Sequence, residues 1–257
     1  MKALDGLRIG CVRYLNSRPL IEPYAGPVVL DHPSALAAAL ARGDLDVALV
    51  PVYEALRSPG FAIADGVSIS SLGPVWSVFI AHQGPVSAIR SVSLDPASLT
   101  SVNLFKVLFA EWGDSVPNYV AEPSPSGPEG ARLIIGNQAI AFREQHGGDF
   151  NYFDLGEEWL RRTGLPFVFA VWLIRPEVKE PHRVAAAFRE IATRGRKSIS
   201  KIAANHPEYR SEFAIRYLTQ NIRFDLGGKE KQGIALFRAL LCKHGFLPAE
   251  TAPPRFL

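Results

Sequence analysis

Asn16, Ser17 and Arg18 stand in the stretch YLNSRPL, directly behind the apolar run LRIGCV. An amide, a hydroxyl and a guanidinium in succession bring donors, an acceptor and a positive charge to the end of a first strand, and Pro19 favours a helix start just beyond it. The first N–H groups of a helix have no internal partner and carry the positive end of its dipole, so such a junction can hold an anion. Ser98, Thr100 and Ser101 repeat the arrangement ahead of NLFKVLFAEWG. Two such junctions facing each other across a cleft would suit a ligand with two carboxylates. Plain N-capping accounts for either junction taken alone, because Ser, Thr and Asn are the preferred caps; Arg18 tilts the first toward binding. His32, between Asp31 and Pro33, is either a base at the mouth of a second strand or a surface turn residue.

Other chemistries lack their motifs. The chain has no HExxH, no CxxC pair and no carboxylate cluster at ligand spacing, so a zinc site is not expected. It has no GxGxxG, no GxxxxGK[ST] and no GxSxG, which weighs against dinucleotides, P-loop chemistry and a covalent serine. Cys11 and Cys242, in apolar surroundings, read as buried reduced thiols. The aromatic run FVFAVW reads mainly as core, with Trp172 the member best placed to reach a cleft.

The elements that must position these residues alternate. LRIGCVRY, PVVLDHP and LDVALVPV read as strands, and SRPLIEPY, PSALAAALARG and VYEALRSPG as the helices between and after them. The near-continuous apolar run of LDVALVPV suits a parallel strand covered on both faces. WSVFIAHQG, SVSLDP, ARLII, NYFDL and LPFVFAVWLI supply further strands, SLTSVNLFKVLFAEWG and EEWLRRTG further helices, and a helical tail follows Val178. PSPSGPEG, 123–130, is the strongest loop signal. The pattern predicts two α/β lobes: residues 1–83 and 173–257 in the first, 84–172 inserted as the second, with chain crossings near 77–83 and 167–172.

In bulk, 257 residues with 47% hydrophobic and 21% charged content describe an ordinary globular chain of one or two domains. The net charge of +3 is spread without a Lys/Arg run, so neither nucleic acid nor an anionic membrane is an expected partner, while a small anionic ligand is. MKALDGLRIG lacks a signal-peptide h-region and no apolar stretch reaches about 18 residues, so the expectation is a cytoplasmic protein.

GCVRYLNSRPL, PSALAAALARGDLDVALVPVYEALRSPG, GPVWSVFI, LDPASLTSVNLFKVLF, LIIGNQAI, DLGEEWLRRTGLPFVFAVW and YLTQNIRFDLG, in this order and over nearly the whole chain, resemble the chorismate dehydratase family of the futalosine route to menaquinone. The resemblance implies a two-lobed, type II periplasmic-binding-protein-like fold and the conversion of chorismate to 3-[(1-carboxyvinyl)oxy]benzoate and water, with no metal or redox cofactor. It implies a catalytic Asn16, with Ser17, Ser77, Thr100 and Ser101 around the substrate, and it demotes Arg18 toward supporting the loop; Arg18, Asn137 and Trp172 are kept as further candidate substrate contacts from the residues themselves. Three positions depart from the family pattern: Trp76 stands where a basic residue is common, Asn137 where an acidic one is usual, and Arg13 where a small or polar one is common. A binding module that does no chemistry remains open at this level. An enzyme of the same pathway acting on a futalosine-derived nucleoside is disfavoured by YLNSRPL, and a regulator's effector domain by the lack of a DNA-binding helix pair before the first strand.

Overall fold

The computed structural model describes residues 2–94, 99–113, 117–120 and 130–257. Ser98 and most of the 123–130 loop lie outside them. The first unit runs β1 (Ile9–Val12), a 3-10 turn (Leu15–Ser17), α1 (Arg18–Ile21), β2 (Val29–Asp31), α2 (Pro33–Arg42), β3 (Val47–Pro51) and α3 (Val52–Arg57). β1 and β3 are buried along their whole length, as expected of parallel strands covered on both faces. Pro33 opens α2, and Gly43, at φ 84°, closes it in the left-handed conformation that glycine adopts without strain.

β4 (Ala62–Ser71) then crosses the sheet edge. Sequence reasoning passed over it because Asp65-Gly66 and three serines resemble turn chemistry. All three serines are buried, and two are tied to the tail: Ser68 Oγ donates to the Asp225 carbonyl at 2.6 Å, and the backbone of Ser70 exchanges hydrogen bonds with that of Arg223 at 2.8 and 2.9 Å.

The chain continues through β5 (Val78–His82), β6 (Ser91–Ser93), α4 (Leu99–Trp112), β7 (Asn118–Val120), β8 (Gly130–Ile135), α5 (Gly136–His146), β9 (Asn151–Asp154), α6 (Leu155–Thr163) and β10 (Phe167–Ile174). The tail holds α7 (Pro181–Lys197), α8 (Ile199–Ala204), α9 (Ser211–Arg216), one π-helical turn (Tyr217–Asn221), α10 (Gly228–Lys243) and β11 (Arg255–Phe256). β7 and β11 are edge strands of three and two residues, too short to carry a periodic signal.

Two sheets result, in the orders β11-β4-β10-β3-β1-β2 and β7-β6-β8-β5-β9. They share one plan. In each, a strand pairs in parallel with two neighbours, and one strand arriving from the other unit inserts antiparallel: β10 between β3 and β4, β5 between β8 and β9. Sheet membership therefore moves the expected boundaries. Residues 78–82 belong to the second sheet and 167–174 to the first, so both crossings fall earlier in the chain than residues 83 and 172. An inserted antiparallel strand is as apolar as its neighbours, and nothing in its composition tells which sheet receives it.

Candidate active site

The carboxyl end of β1 meets the crossing between β4 and β5 in a cleft between the sheets. It is lined by Tyr14, Asn16, Ile69, Val75, Ser77, Thr100, Ser101, Gly136 and Phe169 among others, with about 570 Å³ of empty space including its mouth. Among the described lining residues there is no Asp, Glu, His, Lys or Arg. The described lining offers neutral donors and acceptors on largely apolar walls.

Asn16 sits in the 3-10 turn behind β1 and is only 8% exposed. Its Nδ2 donates to Tyr217 Oη at 3.1 Å. Its Oδ1 is buried with no hydrogen-bond partner among the described residues. A buried carbonyl oxygen without a donor is costly, so this one is poised for a donor brought by a ligand. Ser77, fully buried at the start of the second sheet, shares the same phenol: Ser77 Oγ lies 2.7 Å from Tyr217 Oη. Burial pushes the Tyr217 hydroxyl well above its ordinary pKa, so it stays protonated.

The segment before Ser77 is held from several sides. Asp154 accepts from the backbone N–H groups of Val75 and Trp76 at 3.0 and 2.8 Å while also capping α6 through Gly156 and Glu157. Trp76 adopts φ 67°, uncommon outside glycine. Its ring packs under the Arg143 guanidinium, 4.3 Å from the ring centre, and Arg143 also faces the rings of Phe79 and Tyr152 at 4.6 Å each. Trp76 thus offers an aromatic platform to a cation from α5.

Across the cleft, Thr100 and Ser101 occupy the first turn of the fourteen-residue α4 and are 3% and 5% exposed. Thr100 Oγ1 accepts from the Tyr53 N–H at 3.1 Å, which leaves its own proton to donate. Gly136, at φ 60°, lies against the Tyr14 ring; a Cβ there would stand 2.6 Å from a ring carbon. This close approach brings the two rims together.

Four expected site residues are elsewhere. Ser17 Oγ donates to the carbonyls of Val12 and Tyr14, at 2.6 and 2.8 Å, and its N–H also goes to Tyr14. Its donors are spent on the turn, and it does not line the cleft. Arg18 starts α1 and is not among the lining residues, and a four-residue helix adds little dipole. Trp172 is completely buried in the first core, stacked on Phe188 with ring centres 4.0 Å apart. Asn137 joins the rims without lining the cleft: its Oδ1 accepts from the Leu15 N–H at 3.1 Å and its Nδ2 donates to Glu208 at 3.3 Å. His32 is exposed, and Arg13 donates to the Leu30 carbonyl on the outer edge. Of the expected site residues, Asn16, Ser77, Thr100 and Ser101 line this one cleft. Sequence reasoning missed Tyr217, 201 residues beyond Asn16, whose one signal was its place in the stretch YLTQN.

A family model described as "Menaquinone biosynthesis" matches residues 7–243. The chain belongs to that family. It is 28% identical to the chorismate dehydratase of Thermus thermophilus over 264 residues, covering 91% of this chain and 94% of the relative. The periplasmic aliphatic sulphonate binding protein of Escherichia coli superposes with a TM-score of 0.61 at 14% identity, over 94% of this chain and 93% of that one. A Candida albicans protein described as exhibiting the generic periplasmic binding protein structural fold gives 0.59 at 12% identity, over 94% and 90%. At these identities the two structures show the shared fold, which is the two-lobed periplasmic-binding-protein type. Among the described residues, no helix is long and apolar enough to cross a membrane.

Proposed function

We propose that this chain is a chorismate dehydratase, a hydro-lyase that converts chorismate to 3-[(1-carboxyvinyl)oxy]benzoate and water. Family membership and the Thermus thermophilus relative support the reading. The single observation in the site that carries it is the buried Asn16 Oδ1, without a partner among the described residues, on an amide whose Nδ2 shares the Tyr217 phenol with Ser77 Oγ. A pure anion binder has no use for a buried acceptor, because a carboxylate brings no proton to it; a substrate hydroxyl does.

Chorismate carries a ring carboxylate, an enolpyruvyl carboxylate and a C4 hydroxyl. In the proposed reaction the C3–H and C4–O bonds break, the ring becomes aromatic, and the proton and hydroxide leave as water. Asn16 Oδ1 accepts the hydrogen of the C4 hydroxyl and turns its lone pairs toward Ser77, whose O–H donates as the C–O bond breaks. Thr100, Ser101 and the N–H groups of the α4 first turn hold a carboxylate. The described cleft residues offer no carboxylate, imidazole or amine as a base, and the proposed proton acceptor is the substrate's own enolpyruvyl carboxylate. The protein then supplies position and a preorganised neutral field. Trp76 and Asn137, both behind the lining, leave this scheme intact.

Incubating the purified protein with chorismate tests the proposal. The cyclohexadiene absorbance should decline while an aromatic product lighter by one water accumulates. Binding of chorismate with the diene unchanged would refute it.

A further inference from the structure

We propose that Tyr217 is a positioning residue for this dehydration: its phenol determines which atom of the Asn16 amide, and which proton of Ser77, faces the cleft. The inference rests on the chorismate dehydratase reading for its kinetic consequence, but its geometry is independent of it.

Tyr217 Oη is the one group of the tail that bonds both cleft residues. A phenol oxygen can accept and has a single proton to donate. Asn16 Nδ2 donates to it at 3.1 Å, so the phenol proton is available to Ser77 Oγ at 2.7 Å. With Ser77 accepting, the Ser77 proton is released to the cleft. The amide, anchored through its nitrogen, must present its oxygen. The chain amide–phenol–serine therefore leaves the cleft with one acceptor and one donor a short distance apart, the pair needed on the two sides of a departing hydroxyl.

The position of the phenol is itself held. Tyr217 opens the single π-helical turn, closed by the Ile222 N–H on its carbonyl at 3.2 Å. Such turns recur at functional sites because the extra residue re-aims a side chain. Asn221, at the end of the same turn, donates to the Pro74 carbonyl at 2.9 Å, which ties the turn to the segment that delivers Ser77. Phe213 lies parallel to the Tyr217 ring at 6.0 Å, and the side chain is 1% exposed. A tyrosine that merely filled this space would not need its oxygen aimed at both cleft residues.

Tyr217→Phe keeps the ring and removes the oxygen. For the full-length protein, kcat on chorismate should fall roughly 10- to 100-fold with KM within about twofold, the signature of lost orientation. Ser77→Ala/Tyr217→Phe should be little worse than Ser77→Ala, since the phenol acts partly through that hydroxyl. A kcat for Tyr217→Phe within twofold of wild type, or losses that multiply in the double variant, would overturn the proposal. The second readout needs no variant and no turnover. In the wild-type protein the Asn16 side-chain NH2 should exchange with solvent far more slowly than those of exposed asparagines. Fast exchange there would overturn the proposal even if Tyr217→Phe does not fold. Wild type without activity on chorismate would instead refute the proposed function and leave the exchange result to decide the geometry.

Discussion

The first-sheet rim and the second-sheet rim of the cleft look alike in sequence, a polar cluster at a helix start, yet they fold to opposite uses. At the first, the helix is four residues long, Ser17 spends its donors on the turn, Arg18 is outside the lining, and an acceptor on Asn16 remains without a partner among the described residues. At the second, the helix has fourteen residues and its first turn puts Thr100 and Ser101 into the cleft. Helix length and the partners of the hydroxyls separate the two: under the proposed function, the first rim would take a proton donor from the substrate and the second would give donors to it. The positive charge that suggested an anion site at the first rim has no part in the lining.

This contrast can be broken in kinetics. Ser77→Ala removes the donor beside the Asn16 acceptor and should lower kcat about 100-fold, near the lower end of the cost of one preorganised donor, with KM little changed. Steady-state assays on chorismate would show it, and an unchanged kcat would detach the Asn16–Ser77 pair from the chemistry. On the second rim, Thr100→Val and Ser101→Ala should mainly raise KM, each about tenfold, as expected for roughly 1.4 kcal/mol of lost carboxylate binding. A fall in kcat at constant KM would erase the division between the rims.

Away from the lining the effects are smaller. Asn137→Ala removes the acceptor for the Leu15 N–H and should cost about 1 kcal/mol of stability in urea titrations, with kcat near wild type. The buried His82 of the second sheet sharpens the comparison in pH. Burial lowers its pKa below 6.5, so the folded chain refuses a proton that the unfolded chain accepts. Its contribution is absent at pH 7.5 and becomes destabilising as pH falls below 6.5, by less than about 1.4 kcal/mol per pH unit. Urea midpoints at pH 7.5 and 5.5 for wild type and His82→Gln would check this: the wild type should lose more.

The parallel strands and the helices between them were readable because their signals are local: apolar runs of fixed length, Pro33 at a helix start, Gly43 at its end. Asn16 was readable for the same reason, as an amide at the end of a strand. β4 was hidden because its buried Ser68 and Ser70 find their partners at residues 223–225, far along the chain. Trp172 misled because an aromatic side chain in an apolar strand gives no sign of which face it takes, and Phe188 claims it. Tyr217 had no local signal, since its role exists only where the helical tail returns to the crossing between the sheets. Ser17 shows the converse case: the residue type fits an anion site, and the turn uses it first.

The central claim is that the free acceptor of Asn16 serves the reaction more than the binding. The direct measurement is a single turnover of chorismate by Asn16→Ala beside the wild type, with enzyme in excess and binding measured in parallel. The wild type should consume the bound diene, while the variant should bind chorismate within a few-fold of wild type and leave the diene largely intact over the same interval. Conversion by the variant at the wild-type rate would contradict the account.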